Sequence, residues 1–193
     1  MNSNRFPPFA RLAGAIVAAL ASVSAAHASV IIVDQNCPLS SAIDSANFDV
    51  PVVGCDVVGD GRDTIEIGDA ETILTNELPP IISDIDFVGL GQAPRVITGD
   101  GTHRLFFIGT DGLTPTVTFS NLEFNAGVAH GGNSTAGSGA GGGAGAGAGL
   151  GGAIFVFGGN VSVSHSSFTL NTAVGGSSAG YVAFGAYSSG SGS

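Results

Sequence analysis

Two stretches of the chain repeat one pattern, TVTFSNLEFNA at Thr116–Ala126 and NVSVSHSSFTLNTA at Asn160–Ala173. Val117 and Phe119 alternate with polar residues in the first stretch, and two valines alternate in the same way 44 residues later. Alternation with a period of two is typical of a β-strand that buries one face. A strand pattern restated after a polar, glycine-rich gap indicates stacked turns of a solenoid.

Each run continues to a second apolar pair and stops at an asparagine. These residues are Leu122, Phe124 and Asn125 in the first run, and Phe168, Leu170 and Asn171 in the second. We predict that Asn125 and Asn171 form the same polar rung at a bend, and that His165 occupies the corner position held by Asn121. Polar residues at repeated corners typically hydrogen-bond the backbone of turns.

Short apolar runs between turn residues also precede the repeat, starting with Ser29–Val33. Further strands are predicted at Thr64–Ile67, Thr72–Thr75, Ile85–Val88, Arg95–Thr98, Arg104–Ile108, Val117–Phe124, Ala153–Phe157 and Val161–Leu170. Such strands could also form a sandwich or a barrel. The restated motif and the lack of clear two-residue hairpin turns favour an all-β coil.

The N-terminus has the features of a secretory signal peptide, predicted to span residues 1–28. Arg5 and Arg11 precede the uncharged apolar stretch Leu12–Ala26, and Ala26-His27-Ala28 is an A-x-A cleavage site, so the mature chain is expected to start at Ser29. A retained membrane anchor is the alternative. Nothing later in the chain is long and apolar enough to be a transmembrane helix.

Residues 29–61 are predicted to form an N-terminal cap of strand, helix and disulfide loop. Leu39, Ala42, Ile43 and Ala46 recur with the spacing of one helix face, and Pro38 suits the first helical position. A helix there would cover the open end of a solenoid core. In an exported chain, Cys37 and Cys55 are expected to form a disulfide rather than a metal site.

Charge limits the partners of the mature chain. It contains 15 acidic residues, no lysine, and three arginines (Arg62, Arg95 and Arg104) once the signal peptide is removed. Nucleic acids and anionic lipids need clustered positive charge, so both are excluded as partners. No Asp, Glu, Lys or Arg follows Glu123.

The remaining chain divides at composition changes. Residues 62–176 are predicted to form the turns of the coil, with a mobile glycine-rich insertion at 130–152, and 177–193 is a Gly/Ser-rich end. The sequence indicates no C-terminal cap. An uncovered last turn is an aggregation hazard, which suggests a truncated chain or pairing with another.

Seven phrases then occur in a familiar order and cover nearly all of Val33–Gly176: CPLSSAIDSAN, GDGRDTIEI, ETILTNELPPI, IDFVGLG, ITGDGTHRLFFI, TVTFSNLEFNAG and GLGGAIFVFGGNVSVSHSSFTLNTAVGG. This series resembles bacterial exported β-helix proteins of the CSLREA type, which are similar to polymorphic outer-membrane proteins. The helix departs from their pattern by holding Ser40-Ser41 instead of Arg-Glu. The resemblance implies a right-handed single-stranded parallel β-helix of the pectate-lyase-like superfamily, exported and often displayed on the cell surface. It implies no established catalytic residues.

Four aspartates are candidate calcium ligands. Asp60 and Asp63 lie in one copy of a G-x-G-x-D-x-I repeat, which binds calcium when neighbouring copies complete an oxygen cage. Asp84 and Asp86 should point to one side of a strand. The alternatives are an ordinary turn for the first pair and a solvated strand face for the second.

An enzymatic interpretation would use the same residues. Asp84 and Asp86 could serve glycoside hydrolysis, or hold calcium beside Arg95 or Arg104 as the base of a polysaccharide lyase. The three histidines of the mature chain, His103, His130 and His165, are scattered, which does not suggest a metal site.

The sequence therefore favours an exported, non-enzymatic β-helix protein without a cofactor, located extracellularly, at the cell surface or at the outer membrane. We expect it to serve adhesion or scaffolding, with surface glycans or its own copies as partners. A polysaccharide lyase or glycoside hydrolase is the first alternative. The second is the N-terminal fragment of a longer autotransporter-like protein.

Overall fold

The structure is a computed structural model that describes residues 28–56, 61–135 and 145–179. Most of the predicted signal peptide, Asp60 and most of the Gly/Ser-rich end lie outside the described residues. Within them the chain forms the helix α1 (Leu39–Phe48) and the strands β1 (Val30–Val33), β2 (Asp63–Ile67), β3 (Glu71–Ile73), β4 (Ile85–Gly89), β5 (Arg95–Thr98), β6 (Phe106–Ile108), β7 (Thr116–Ser120), β8 (Leu122–Asn125), β9 (Val128–His130), β10 (Ile154–Val156), β11 (Asn160–Ser164), β12 (Ser167–Thr169) and β13 (Thr172–Val174).

The chain belongs to the all-β class, and its sheets are parallel. A five-stranded sheet has the order β1-β2-β4-β7-β11, and a four-stranded sheet has the order β12-β8-β5-β3. Two smaller sheets pair β10 with β6 and β13 with β9. Every strand pair in the described residues is parallel. From β2 onward, successive strands of the chain therefore lie in different sheets, and each pairs with a strand of a neighbouring run.

The two copies of the sequence repeat pair with each other as hydrogen-bonded parallel strands. β11 pairs with β7 so that Val161 lies opposite Val117, and β12 pairs with β8 so that Phe168 lies opposite Phe124. β13 pairs with β9 at the same offset, with Thr172 opposite Val128. The prediction aligned Leu122 and Phe124 with Phe168 and Leu170. Phe168 instead pairs with Phe124, so that alignment is wrong by two residues.

Both long strands predicted in the repeat are divided by a bend. Asn121 has φ 56° and His165 has φ 48°, so each interrupts the extended backbone at the same place in its run. The predicted equivalence of these two corners is confirmed. Asn125 and Asn171 are not equivalent, because Asn125 lies opposite Thr169.

Asn171 instead links two runs through its side chain. Its Nδ2 donates to the carbonyl oxygen of Phe124 at 2.8 Å, and its Oδ1 accepts from the Gly127 amide at 2.8 Å. Asn121 Nδ2 donates to the carbonyl oxygen of Gly89 at 2.8 Å in the same manner. Both side chains thus satisfy backbone groups of the preceding run, as expected for polar corner residues.

The core is continuous and rich in phenylalanine. Phe87 and Phe119, opposite each other on β4 and β7, stack with ring centroids 4.9 Å apart. Phe106 packs against both, and Phe124 packs edge-on against Phe119 at 5.3 Å. All four rings are fully buried. Because side chains alternate between faces along a strand, one inward residue in every two suffices to build this column.

The helix α1 covers the β1 end of this core. Its predicted face of Leu39, Ala42, Ile43 and Ala46 is buried, which confirms the helix and its orientation. Pro38 lies one position earlier than predicted, at the N-cap. Asn47 fastens the helix to the chain before β4, since its side chain bonds the Pro80 carbonyl at 2.8 Å and the Ile82 amide at 2.9 Å.

Cys37 and Cys55 form the predicted disulfide, and their Cα atoms are 4.9 Å apart. Both cysteines are buried and belong to the same core cluster as α1. The bond joins the start of the helix to the loop that follows it. In the part of the chain that the structure describes, no helix has the length and apolar character needed to cross a membrane.

The described ends of the glycine-rich insertion pack closely against neighbouring backbone. The Gly147 amide donates to the Gly132 carbonyl at 2.8 Å, and the Gly131 amide donates to the Val174 carbonyl at 2.8 Å. A Cβ atom added to Gly131 would lie 2.1 Å from the Gly147 carbonyl oxygen. Part of the predicted mobile loop is therefore ordered, and glycine there permits close approach of the backbone.

Candidate ligand-binding face

The predicted calcium ligands do not form one cluster in the structure. Asp60 lies outside the described residues. Asp63 begins β2 and is buried, whereas Asp84 and Asp86 lie on the solvent side, before and within β4. No group of three or more His, Cys, Asp or Glu side chains suited to a metal ion occurs in the described residues. Calcium binding stays a prediction.

Asp86 forms an ion pair with Arg62. The hydrogen bond to Asp86 raises the pKa of Arg62, and the negative charge of Asp84 adds to that effect. Arg62 Nε donates to Asp86 Oδ2 at 2.7 Å, a second guanidinium nitrogen donates to Oδ1, and Thr118 Oγ1 donates to Oδ1 as well. Asp84 Oδ1 accepts from the Thr116 amide at 2.7 Å. The hydrogen bonds from Arg62 hold the pKa of the Asp86 carboxyl below its usual value. Asp86 is thus an ionised partner of Arg62, and a general acid would need the opposite shift.

The three histidines lie in different settings. His103 Nδ1 is 2.7 Å from Asp100 Oδ2 within one turn. Hydrogen bonds from Thr102, and then from His103, lower the pKa of Asp100 well below its usual range. His130 ends β9, and His165 is the bend between β11 and β12. The ion pairs of the described residues involve Arg62 and His103, and neither of the two candidate lyase bases.

Arg104 lies on an aromatic surface. Its guanidinium carbon is 5.4 Å from the ring centroid of Phe107 and 4.9 Å from that of Phe155. Both distances are within the range of cation–π contact. Phe107 and Phe155 lie opposite each other on β6 and β10, with their centroids 5.4 Å apart.

Phe157 extends this surface beyond the end of β10. Its ring is 6.2 Å from that of Phe107, with an angle of 21° between the planes, and the residue is 54% exposed. Arg104, Phe107, Phe155 and Phe157 will be called the aromatic face. It lies on the outer side of the β6–β10 sheet, whose inner side carries the buried residues Phe106 and Ile108.

A groove with a volume of about 520 Å³ borders the aromatic face. Its lining residues are Glu77, Leu78, Pro79, Pro80, Phe107 and Thr110. Phe107 therefore belongs to both the groove and the face. Prolines and an aromatic ring supply rigid apolar walls, and Glu77 and Thr110 supply hydrogen-bonding groups. The volume is in the range of small-ligand sites.

The aromatic face was not predicted from the sequence, although a signal for it is present there. In RLFFI, Phe106 and Phe107 fall on opposite faces of a strand, so one of the two must point outward, and in IFVF, Phe155 and Phe157 share one face. Alternation cannot tell whether such a residue meets another element or solvent. It also cannot bring together residues 48 positions apart, which requires the β6–β10 pairing.

The aromatic face combines flat apolar rings with one cation, Arg104, whose guanidinium has no hydrogen bond or ion pair within the described residues. Phe157 is exposed, and Phe107 and Phe155 are half-buried. An exposed ring offers a face on which the C–H side of a sugar ring can stack, and a guanidinium can donate two parallel hydrogen bonds to adjacent oxygens. No acid–base pair accompanies these groups in the described residues that line the face and the groove. The rings and the guanidinium are groups suited to binding a sugar.

No protein-family model, no curated protein and no solved structure matches this chain.

Proposed function

We propose that the chain is an exported, non-enzymatic β-helix protein that binds neutral glycans through the aromatic face. The observation that carries the glycan proposal is the continuous surface of Phe107, Phe155 and Phe157 with Arg104 held across two of the rings. Contiguous exposed apolar surface on a soluble protein typically marks an interaction site. A neutral ligand is favoured because the chain has a formal net charge of −10, which repels acidic polysaccharides.

The β-helix part of the proposal is supported by the order of the strand pairs. β10, β11, β12 and β13 pair in turn with β6, β7, β8 and β9. A coil in which each turn lies on the last would produce this order. Crossovers between parallel strands of one sheet are right-handed in about 98% of cases, so the proposed coil is right-handed. The resemblance to CSLREA-type exported proteins is part of the same proposal, as are the signal peptide and an extracellular or cell-surface location.

Affinity electrophoresis tests the glycan proposal directly. The purified protein is run through native gels containing xylan, dextran or a soluble β-glucan, with alginate and pectate as acidic comparisons. We expect retardation in at least one neutral gel and none in the acidic gels. Phe157→Ala should abolish the retardation, because it removes the most exposed ring of the aromatic face.

Phe168→Ala is the matched control. Phe168 is also 54% exposed, but it lies on β12, away from the aromatic face. Retardation that survives Phe168→Ala and disappears in Phe157→Ala supports the proposal. Equal effects of the two variants, or no retardation in any gel, would refute it. Concentration-dependent self-association that Phe157→Ala abolishes would identify a second copy as the occupant instead.

The enzymatic alternative has a separate assay. The same polysaccharides are incubated with the protein in the presence of calcium and analysed for new reducing ends and for unsaturated uronides. Release of either product would identify a hydrolase or a lyase and would overturn the non-enzymatic proposal.

A further inference from the structure

The carboxyl group of Asp63 is buried and only half satisfied. Asp63 is 1% exposed, and its Oδ1 accepts a hydrogen bond from the backbone nitrogen of Ser29 at 2.9 Å. Its Oδ2 is also buried, and no donor for it is present in the described residues. A buried carboxylate oxygen without a donor is costly. Burial raises the pKa of Asp63, and the nearby negative charge of Asp49 adds to that effect.

The backbone nitrogen that reaches Asp63 is the one that signal-peptide removal would free. Ser29 follows the A-x-A sequence at 26–28 directly. Ser29 is 8% exposed, whereas Ala28 is exposed. The Ser29 carbonyl accepts from the Thr64 amide at 2.8 Å, and β1 then pairs with β2. The sheet thereby fixes the Ser29 nitrogen beside the carboxyl group.

We propose that Asp63 is the receptor for the new α-amino group that processing creates at Ser29, and that the two form a buried ion pair in the mature protein. In this step a signal peptidase adds one water molecule across the Ala28–Ser29 amide bond. Ala28 takes the hydroxyl and becomes a carboxylate, and the Ser29 nitrogen takes protons to become an ammonium group. The inference rests on the export proposed above.

The change at this nitrogen matches what the site lacks. An amide nitrogen has one N–H, and an ammonium nitrogen has three, so two further donors arise 2.9 Å from one carboxylate oxygen. One of them can reach Oδ2. The ammonium also supplies the positive charge that a buried carboxylate needs, and the mature chain has no lysine that could do so.

Asp63→Asn should therefore have opposite effects on the stability of the protein before and after removal of the signal peptide. In a chain that retains its leader, the neutral amide removes an uncompensated buried charge, so the variant should be as stable as the wild type or more stable. In the mature chain, the same substitution leaves an ammonium group without its partner and should lower the melting temperature.

The absence of lysine makes a direct chemical test possible. After processing, the α-amino group is the only primary amine of the chain, so an N-hydroxysuccinimide ester that acetylates amines reports on this group alone. The full chain is expressed with its own leader in a bacterial host, purified, and sequenced from its N-terminus. Acetylation is then followed by mass spectrometry at pH 7.5, for the native protein and in urea.

We expect sequencing to start at Ser29 and native acetylation to be at least about tenfold slower than acetylation in urea. Only the unprotonated amine reacts, and each unit by which the ion pair raises its pKa lowers that fraction about tenfold. Asp63→Asn should restore most of the rate. Asp49→Asn is the matched control, since it removes the neighbouring negative charge at an exposed position with φ 52°, which asparagine tolerates. It should change the rate by less than about twofold.

The outcomes separate this inference from the proposal on which it rests. A retained leader would overturn both the export proposal and the ion pair. Processing at Ser29 with equally fast acetylation in the native protein and in urea would overturn the ion pair alone. Slow native acetylation that Asp63→Asn leaves unchanged would do the same. If Asp63→Asn does not fold, the ratio of native to urea rates in the wild type decides the question.

Discussion

The first and last strands of the five-stranded sheet share an inward-facing apolar pattern but have opposite surroundings. β1 and β11 both place branched apolar residues on the inward side. In β1 these residues are buried, because α1 lies across them. In β11 Val161 is only half-buried and Val163 is exposed. The alternating pattern selects the side that faces the core, but a covering element decides whether that side leaves solvent.

The paired rings of β8 and β12 show the same difference across a single strand-to-strand step. Phe124 and Phe168 stack 4.8 Å apart with an angle of 16° between their planes. Phe124 is fully buried, because neighbours enclose it on both sides, whereas Phe168 is 54% exposed. Phe124 has Ile97 of β5 opposite it on one side and Phe168 on the other, whereas Phe168 has a paired strand on one side only among the described residues.

The largest loss of stability is expected for a substitution on the buried face of α1, which covers the β1 end of the core. Ile43 is fully buried at the centre of the helix face. Ile43→Asp removes its packing and buries a charge, so the free energy of unfolding should fall by about 4 kcal/mol or more. Urea unfolding followed by circular dichroism measures this. Ser41→Asp, half-buried on the same helix, is the control and should change stability by less than about 0.5 kcal/mol. A wild-type midpoint for Ile43→Asp would mean that α1 covers nothing essential.

An intermediate loss of stability is expected for substitutions in the stacked pair Phe124 and Phe168, which compares an enclosed ring with an exposed one in the same sheet. Phe124→Ala should cost about 3–5 kcal/mol, the usual value for a fully enclosed ring. Phe168→Ala should cost about 1 kcal/mol, because roughly half of its surface is already in water. Midpoints and slopes of urea unfolding would give both values. Equal costs would show that Phe168 is enclosed in solution, and hence that the last run is covered there.

The smallest effect concerns how the last run is attached. Gly131→Ala places a methyl group 2.1 Å from the Gly147 carbonyl oxygen and should cost about 1–3 kcal/mol, as overpacking does. Gly132→Ala is the matched control, since a Cβ there meets no described atom within 4 Å. It should be neutral or stabilise by up to about 1 kcal/mol.

Amide hydrogen exchange makes this last comparison local. Gly131→Ala should speed exchange in β13 and leave β2 unchanged. Equal exchange in the two glycine variants would mean that the backbone contact between Gly131 and Gly147 does not hold the last run in place.

The sequence predicted most strands, the capping helix and the disulfide, because each depends on local periodicity or on a simple pairing. Its errors lie at corners. Phe119 and Leu122 are both buried although they are three positions apart, which a straight strand does not allow. Asn121 resolves this conflict with a left-handed backbone conformation. The sequence carries this change of parity, although Val117–Phe124 was predicted as one continuous strand. His165 forms the equivalent bend in the later run.

Other features could not be found from local patterns. β9 and β13 have three residues each, too few for a period to appear, and they hold together through pairing with each other. The aromatic face depends on the register between β6 and β10. The contact between Ser29 and Asp63 depends on the pairing of β1 with β2. In each case the contact depends on which residues of two distant strands lie opposite each other, and local sequence patterns do not specify that register.

The hydrogen bond between Gly147 and Gly132 allows the segment between them to change in length without a change in the register of the neighbouring strands. It closes the segment between these two residues at its base, so residues added within that segment need not shift β9 against β13. The entropy of closing a loop rises only slowly with its length, by about 0.6 kcal/mol per doubling. The segment is therefore a natural insertion point for an epitope, a fluorophore tag or a second domain, which the strand pairs on either side would carry without being rebuilt.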